Sequence, residues 1–160
     1  MIYSTHSQLR AAIEQRVQKA MSIMVEKIYD QLIFFIQADV YDTYPQPIFY
    51  ERTGEFRDKA WEKKVRRDAQ KIVGEIFYDG MNMIYNPAKY QHGSKTEDRR
   101  ERLAEILNNS EDNEEAYESD WDIGRDPMPS AYWDHTLAWL DYKWDDLVRD
   151  AMNKVGVKIK

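Results

Sequence analysis

Apolar residues recur at helical spacing through the first quarter of the chain. Leu9, Ile13, Val17, Met21, Met24, Ile28, Leu32 and Phe35 form one stripe, with Gln, Glu, Arg and Lys between them. The pattern predicts a long amphipathic helix over residues 5–43. A Thr5/Gln8 capping box opens it, and Pro45 ends it by pushing Tyr44 out of the α region. Unbroken, such a helix spans about 50 Å, more than the roughly 30 Å diameter expected of a compact domain of this size. Either part of it projects or meets another copy, or it breaks within "DQLIFFIQADVYD", where Ile33, Phe34, Phe35 and Ile36 place apolar groups all round. Both readings bury its C-terminal third on more than one side.

Residues 44–56, "YPQPIFYERTGEF", read as a preset corner: Pro45 and Pro47 restrict the backbone, and Gly54 permits a left-handed turn. Tyr44, Phe49, Tyr50 and Phe56 are available there for packing, and Arg52 for a fixed polar contact. Residues 57–90 are expected to hold a small antiparallel sheet. The stretch 57–70 fits a short helix or, as we favour, an extended run with Trp61 and Val65 on one face. "KIVGEIFY" at 71–78 is β-branched and aromatic, and Asp79-Gly80 predicts a hairpin turn into "MNMIYN". Ser94 and Glu97 propose a capping box for a helix over 95–109, with Leu103, Ile106 and Leu107 inward. An exposed acidic loop over 110–129 follows, since six of the ten residues 111–120 are acidic and none is basic. A last helix over 130–156 carries Trp133, Leu137, Leu140, Trp144, Leu147, Val148, Ala151 and Met152 on its apolar face until Gly156 stops it. The fold class expected is α+β, in a single domain.

Composition narrows the function classes. A chain of 160 residues suits one domain with a real core. No cysteine is present, which excludes a disulfide framework and a zinc site built on thiolates, and fits synthesis inside a cell. The first ten residues lack a basic segment followed by an apolar stretch, and no apolar run is long enough to span a membrane, so neither export nor anchoring is expected. The net charge of −6 disfavours nucleic acid as a general partner. Eleven Tyr, five Trp and five Phe suit contacts between subunits about as well as a small core.

Catalytic constellations do not emerge. His6, His92 and His135 are too scattered to argue for a metal, and His92 in "YQHGS" reads more readily as structural than catalytic. Asp79, Glu97, Asp98 and Glu101 are the residues a metal-dependent nuclease would need to converge on two ions, a reading ranked below a structural role. Lys63, Lys64, Arg66 and Arg67 form a concentrated basic patch, suited to a phosphate backbone or, as the net charge favours, to the acidic loop of a neighbouring copy.

Three segments carry a family resemblance: "YDTYPQPIFYERTGEFRDKAW", "GEIFYDGMNMIYNPAKYQHGS" and "DRRERLAEILN". Together they resemble the tail-completion and head-tail joining proteins of tailed bacteriophages. In that family a long N-terminal helix leads to a Tyr/Pro-rich segment ending in tyrosine, any residue, Arg, Thr, Gly, any residue, hydrophobic. Tyr50, Arg52, Thr53, Gly54 and Phe56 match it here. The resemblance covers roughly residues 25–108, and the last helix agrees in position, whereas the acidic insertion at 111–129 and the aromatic last helix depart from the pattern.

The resemblance implies a virion structural protein without enzymatic activity, cofactor or metal. It would be made in the host bacterial cytoplasm and assembled as a homo-oligomeric ring at the head-tail junction. Its partners would be other copies of itself, head-connector proteins and tail-tube or tail-terminator proteins, with DNA in the channel contacted at most indirectly. Residues 63–67 meeting residues 111–122 of the next copy would then set part of the register. The competing classes are the nuclease and a soluble module that binds a partner through its aromatic last helix, with Trp133 and Trp144.

Overall fold

The computed structural model describes residues 5–43, 53–69, 71–84, 100–108 and 131–159. Helix α1 runs over His6–Ile36. Thr5 caps it as the sequence predicts: its hydroxyl oxygen accepts the Gln8 N–H at 3.3 Å, and its carbonyl accepts the Leu9 N–H at 3.2 Å. Beyond Ile36 the backbone widens into a π-helix over Gln37–Asp42. Two side-chain bonds span the matching five positions: Gln37 Nε2 donates to Asp42 Oδ1 at 2.6 Å, and the Thr43 hydroxyl donates to the Ala38 carbonyl at 2.7 Å. The expected alternative of a break thus takes the form of a change in helical pitch. Leu32 and Ile36 are buried while Phe34 is 60% exposed, so this end of the helix keeps one face open.

A single turn, α2 (Glu55–Asp58), precedes a two-stranded antiparallel sheet of β1 (Trp61–Asp68) and β2 (Lys71–Tyr78). Ala69, with φ +50°, lies in the hairpin turn. The Asp79 N–H donates to the Ala60 carbonyl at 2.7 Å, continuing the ladder past the strands and setting Trp61 opposite Tyr78 and Lys64 opposite Glu75.

The hairpin therefore lies upstream of the turn predicted at Asp79-Gly80. Those two residues serve otherwise. Asp79 caps a 3₁₀ turn over Gly80–Asn82 by accepting the Met81 N–H at 3.1 Å. Gly80 lies where another segment comes close, since a Cβ there would sit 2.0 Å from the Arg100 carbonyl oxygen. The predicted strand after Gly80 is a 3₁₀ turn as far as Asn82, and residues 85–90 lie outside the described set. A 3₁₀ turn at Arg100–Arg102 leads into α3 (Leu103–Asn108). The last helix, α4, spans Tyr132–Lys154. It ends as predicted: Gly156 takes φ +79°, and the Val157 N–H reaches back to the Met152 carbonyl at 2.9 Å.

The chain divides into two compact units. One comprises Met1–Gln31, Lys63–Ile76 and Leu137–Lys160, and the other Leu32–Glu62 and Phe77–Thr136. In the first, Ala20, Met24 and Ala151 are buried, with Ile23, Val148, Met152 and Val155 packed against them. The hairpin approaches α1 at Gly74, where a Cβ would sit 2.3 Å from Val25 Cγ2 and 3.0 Å from Met21 Sδ. The apolar stripes are covered unevenly. Leu147 and Ala151 are buried, but Leu137 and Trp144 on the same predicted face of α4 are 46% and 47% exposed, and the first turns of α1 leave Leu9 and Ile13 open. Periodicity tells which residues share a face, and packing decides how much of that face is covered. Among the described residues no helix is long and apolar enough to cross a membrane.

Candidate functional site

The second unit is organised around aromatic rings from β1, β2 and α4, joined by Phe56, which the turn at Gly54 delivers. Gly54 sits at φ +76°, and its carbonyl accepts the N–H groups of Arg57 and Asp58 at 3.0 and 2.9 Å, which starts α2. Thr53 supports the same turn, its hydroxyl accepting the Glu55 N–H at 3.4 Å. That turn sends Phe56 inward to a position 5% exposed. Its ring meets Trp61 edge-on at 6.0 Å, Tyr132 edge-on at 5.8 Å and Tyr78 at 5.9 Å, while Trp61 stacks on Trp133 at 5.9 Å with 17° between the planes. Such pairs contribute about 0.5–1.5 kcal/mol each beyond the area they bury.

Two of these rings also carry hydroxyls that hold a neighbouring segment. Tyr78 donates to the Arg100 carbonyl, and Tyr132 donates to the Ala104 carbonyl at 2.9 Å. Arg100 in turn donates to the Met83 carbonyl at 2.6 Å. Burial, with a smaller push from Tyr78, raises the Tyr132 hydroxyl well above the ordinary tyrosine range. At the edge of the same unit, Arg57 donates to Asp58 and to Gln37 Oε1, and its guanidinium lies 5.7 Å from the Tyr41 ring centroid. The hydrogen bond from Arg57 holds the Asp58 carboxyl below its usual range.

The basic patch occupies β1 in the first unit, and strand alternation divides it. Lys63 and Arg67 turn toward α1: Lys63 Nζ lies 2.5 Å from Glu26 Oε1 and 4.1 Å from the Tyr29 ring centroid, and Arg67 Nη1 lies 3.0 Å from Glu14 Oε2. Lys64 and Arg66 meet Glu75 of β2, at 3.4 and 2.8 Å. The hydrogen bond from Arg66 is the main reason the Glu75 carboxyl titrates below its usual range. Each of the four cations has a carboxylate of its own chain, and partly exposed pairs of this kind contribute little stability individually.

Of the other predicted residues, Tyr44, Pro45, Pro47, Phe49, Tyr50 and Arg52 lie outside the described residues, as do Ser94, Glu97, Asp98, His92 and the acidic segment 111–122. Trp133 serves intramolecular packing, whereas Trp144 is open to solvent. Asp79 is engaged by the Met81 N–H, Glu101 is exposed, and no group of three or more metal-ligating side chains occurs among the described residues. His135 Nδ1 lies 2.8 Å from Asp39 Oδ2, beside Phe35.

Sequence reasoning missed two features. The close approach at Gly74 had a signal, a glycine inside a β-branched strand. The exposure of Met81 and Ile84, at 55% and 64%, had none.

No curated protein and no solved structure matches the chain significantly. Residues 5–154 match the family described as YomN, which covers every described element, and the match points to a phage-associated protein. The chain belongs to the YomN family.

Proposed function

We propose that the chain is a virion structural protein of a tailed phage, a tail-completion or neck protein. In this reading it assembles as a homo-oligomeric ring at the head-tail junction, joining tail to head connector, and performs no catalysis. It is made in the host cytoplasm and ends in the neck or tail of the particle. The observation that carries the reading is that large apolar side chains stand open on both units of a phage-family chain. Ile13 and Trp144 are 52% and 47% exposed on one unit, and Phe34 and Ile84 are 60% and 64% exposed on the other. Side chains of this size left in water suit a subunit that buries them against other copies and other virion proteins.

The test is mass spectrometry of purified particles, followed by locating the protein in a particle map. Stoichiometric presence in a ring between head and tail is expected. Absence from finished particles would overturn the reading.

A further inference from the structure

The two units carry opposite net charge. The first holds 14 Lys and Arg against 9 Asp and Glu, a net of +5; the second holds 9 against 20, a net of −11, together giving the chain's −6. Two copies meeting through the same unit therefore repel, whereas the first unit of one copy attracts the second unit of another. That favours a heterologous contact, in which different patches meet.

Each unit has a small apolar surface rimmed by its own sign of charge. On α1, Leu9 and Ile13 are one turn apart and 41% and 52% exposed. Beside them Arg10 and Arg67 share the single carboxylate of Glu14, both at 3.0 Å, which leaves a surplus of positive charge. Arg16 adds to it, because its hydrogen-bond acceptor is the neutral carbonyl of Gly156, at 3.4 Å.

On the second unit, Met81 and Ile84 project on either side of the buried Met83. Three carboxylates pin this loop. Asp79 accepts the Met81 N–H at 3.1 Å, Glu62 accepts Asn82 Nδ2 at 2.7 Å, and Glu55 Oε2 accepts the Ile84 N–H at 2.8 Å. Two cations also stand at this loop, the Lys59 ammonium 2.7 Å from Glu55 Oε1 and the Arg100 guanidinium, which donates to the Met83 carbonyl at 2.6 Å, so among these groups the three carboxylates leave the rim acidic by one charge. A loop held this way presents its apolar tips with little freedom left to lose on binding.

We propose that the Met81–Ile84 loop of one copy docks on the Leu9–Ile13 face of a second copy, with the acidic rim against the basic one. The proposal rests on the ring reading above and supplies its subunit contact. The experiment uses the full chain and two variants, Ile13→Asp and Ile84→Lys, each checked for wild-type circular dichroism and thermal unfolding. Leu9→Asp and Met81→Lys provide a second pair should either variant misfold.

By analytical ultracentrifugation the wild type is expected to form higher oligomers and each variant to remain a monomer. An equimolar mixture of Ile13→Asp and Ile84→Lys is expected to form a 1:1 dimer and stop there, because one intact patch remains on each partner. A wild type that stays monomeric, a single variant that still assembles, or a mixture that stays monomeric would overturn the contact. Rings in the particle together with unaffected variants would sink this contact while leaving the ring reading standing. Absence of the protein from particles would do the reverse.

Discussion

Gly54 and Tyr132 show how single residues set the second unit. At φ +76° Gly54 occupies a conformation that a β-branched residue adopts only under strain, and the turn it permits aims Phe56 into the rings. Gly54→Val is expected to lower stability by about 1–3 kcal/mol, read from urea unfolding; a variant as stable as wild type would show that the turn tolerates another geometry. Tyr132 is 1% exposed and joins the ring cluster to α3 through its hydroxyl. Burial raises its pKa above the ordinary 10.0, so the folded state keeps the proton after the unfolded state has lost it. The stabilising contribution is therefore complete below pH 10.0 and declines as pH rises beyond it. Tyr132→Phe is expected to cost about 0.5–1.5 kcal/mol at neutral pH for the lost hydrogen bond and to flatten the fall of stability above pH 10.0. An unchanged alkaline slope would contradict the assignment. The left-handed turn at Gly54 was legible in the sequence, because only glycine takes that conformation readily. The role of Tyr132 was not, since nothing local marks which tyrosine is buried.

Among the elements, the helices were the most legible, and the hairpin was right in kind but misplaced. Caps and stops are short-range chemistry: Thr5 and Gly156 act on backbone groups within a few residues, so their effect can be read locally. The hairpin turn cannot be read that way. Asp79-Gly80 carries the composition of a two-residue turn, but its carboxylate and its missing side chain answer to a 3₁₀ turn and to the approaching Arg100 backbone. β1 looks too charged for a strand until Glu75, Glu14 and Glu26 are seen opposite its cations. Strand packing on α1 turns on Gly74. Gly74→Ala is expected to destabilise by about 1–3 kcal/mol through overpacking, and Val25→Ala in the same chain is expected to recover part of the loss, because it removes the methyl group met first. Purely additive effects in that double-mutant cycle would mean the helix moves away instead.

At the scale of the whole molecule, charge is the quantity that sequence reasoning averaged away. A net of −6 describes neither unit, since one is net basic and the other more strongly acidic than the total. If the subunit contact joins these opposite surfaces, its attraction is screened by salt, with a Debye length of about 10 Å at 0.1 M and about 3 Å at 1 M. Oligomers are then expected to dissociate progressively between these concentrations, measured by sedimentation equilibrium. Association that is indifferent to salt would remove the electrostatic part of the contact and leave only its apolar centre.

The sequence alone determined what depends on neighbours along the chain: a long first helix and its cap, the left-handed turn at Gly54, the stop at Gly156, the α+β class and the residues that share each stripe. Tertiary structure decided what depends on contacts between distant segments. It placed Leu32 in a core and Phe34 in solvent two residues later, gave each cation of β1 an internal carboxylate, and left Leu9, Ile13, Met81 and Ile84 uncovered. The physical reason is range. Backbone conformation is set within one or two turns of chain, whereas burial and charge pairing are settled only when segments far apart in sequence come together.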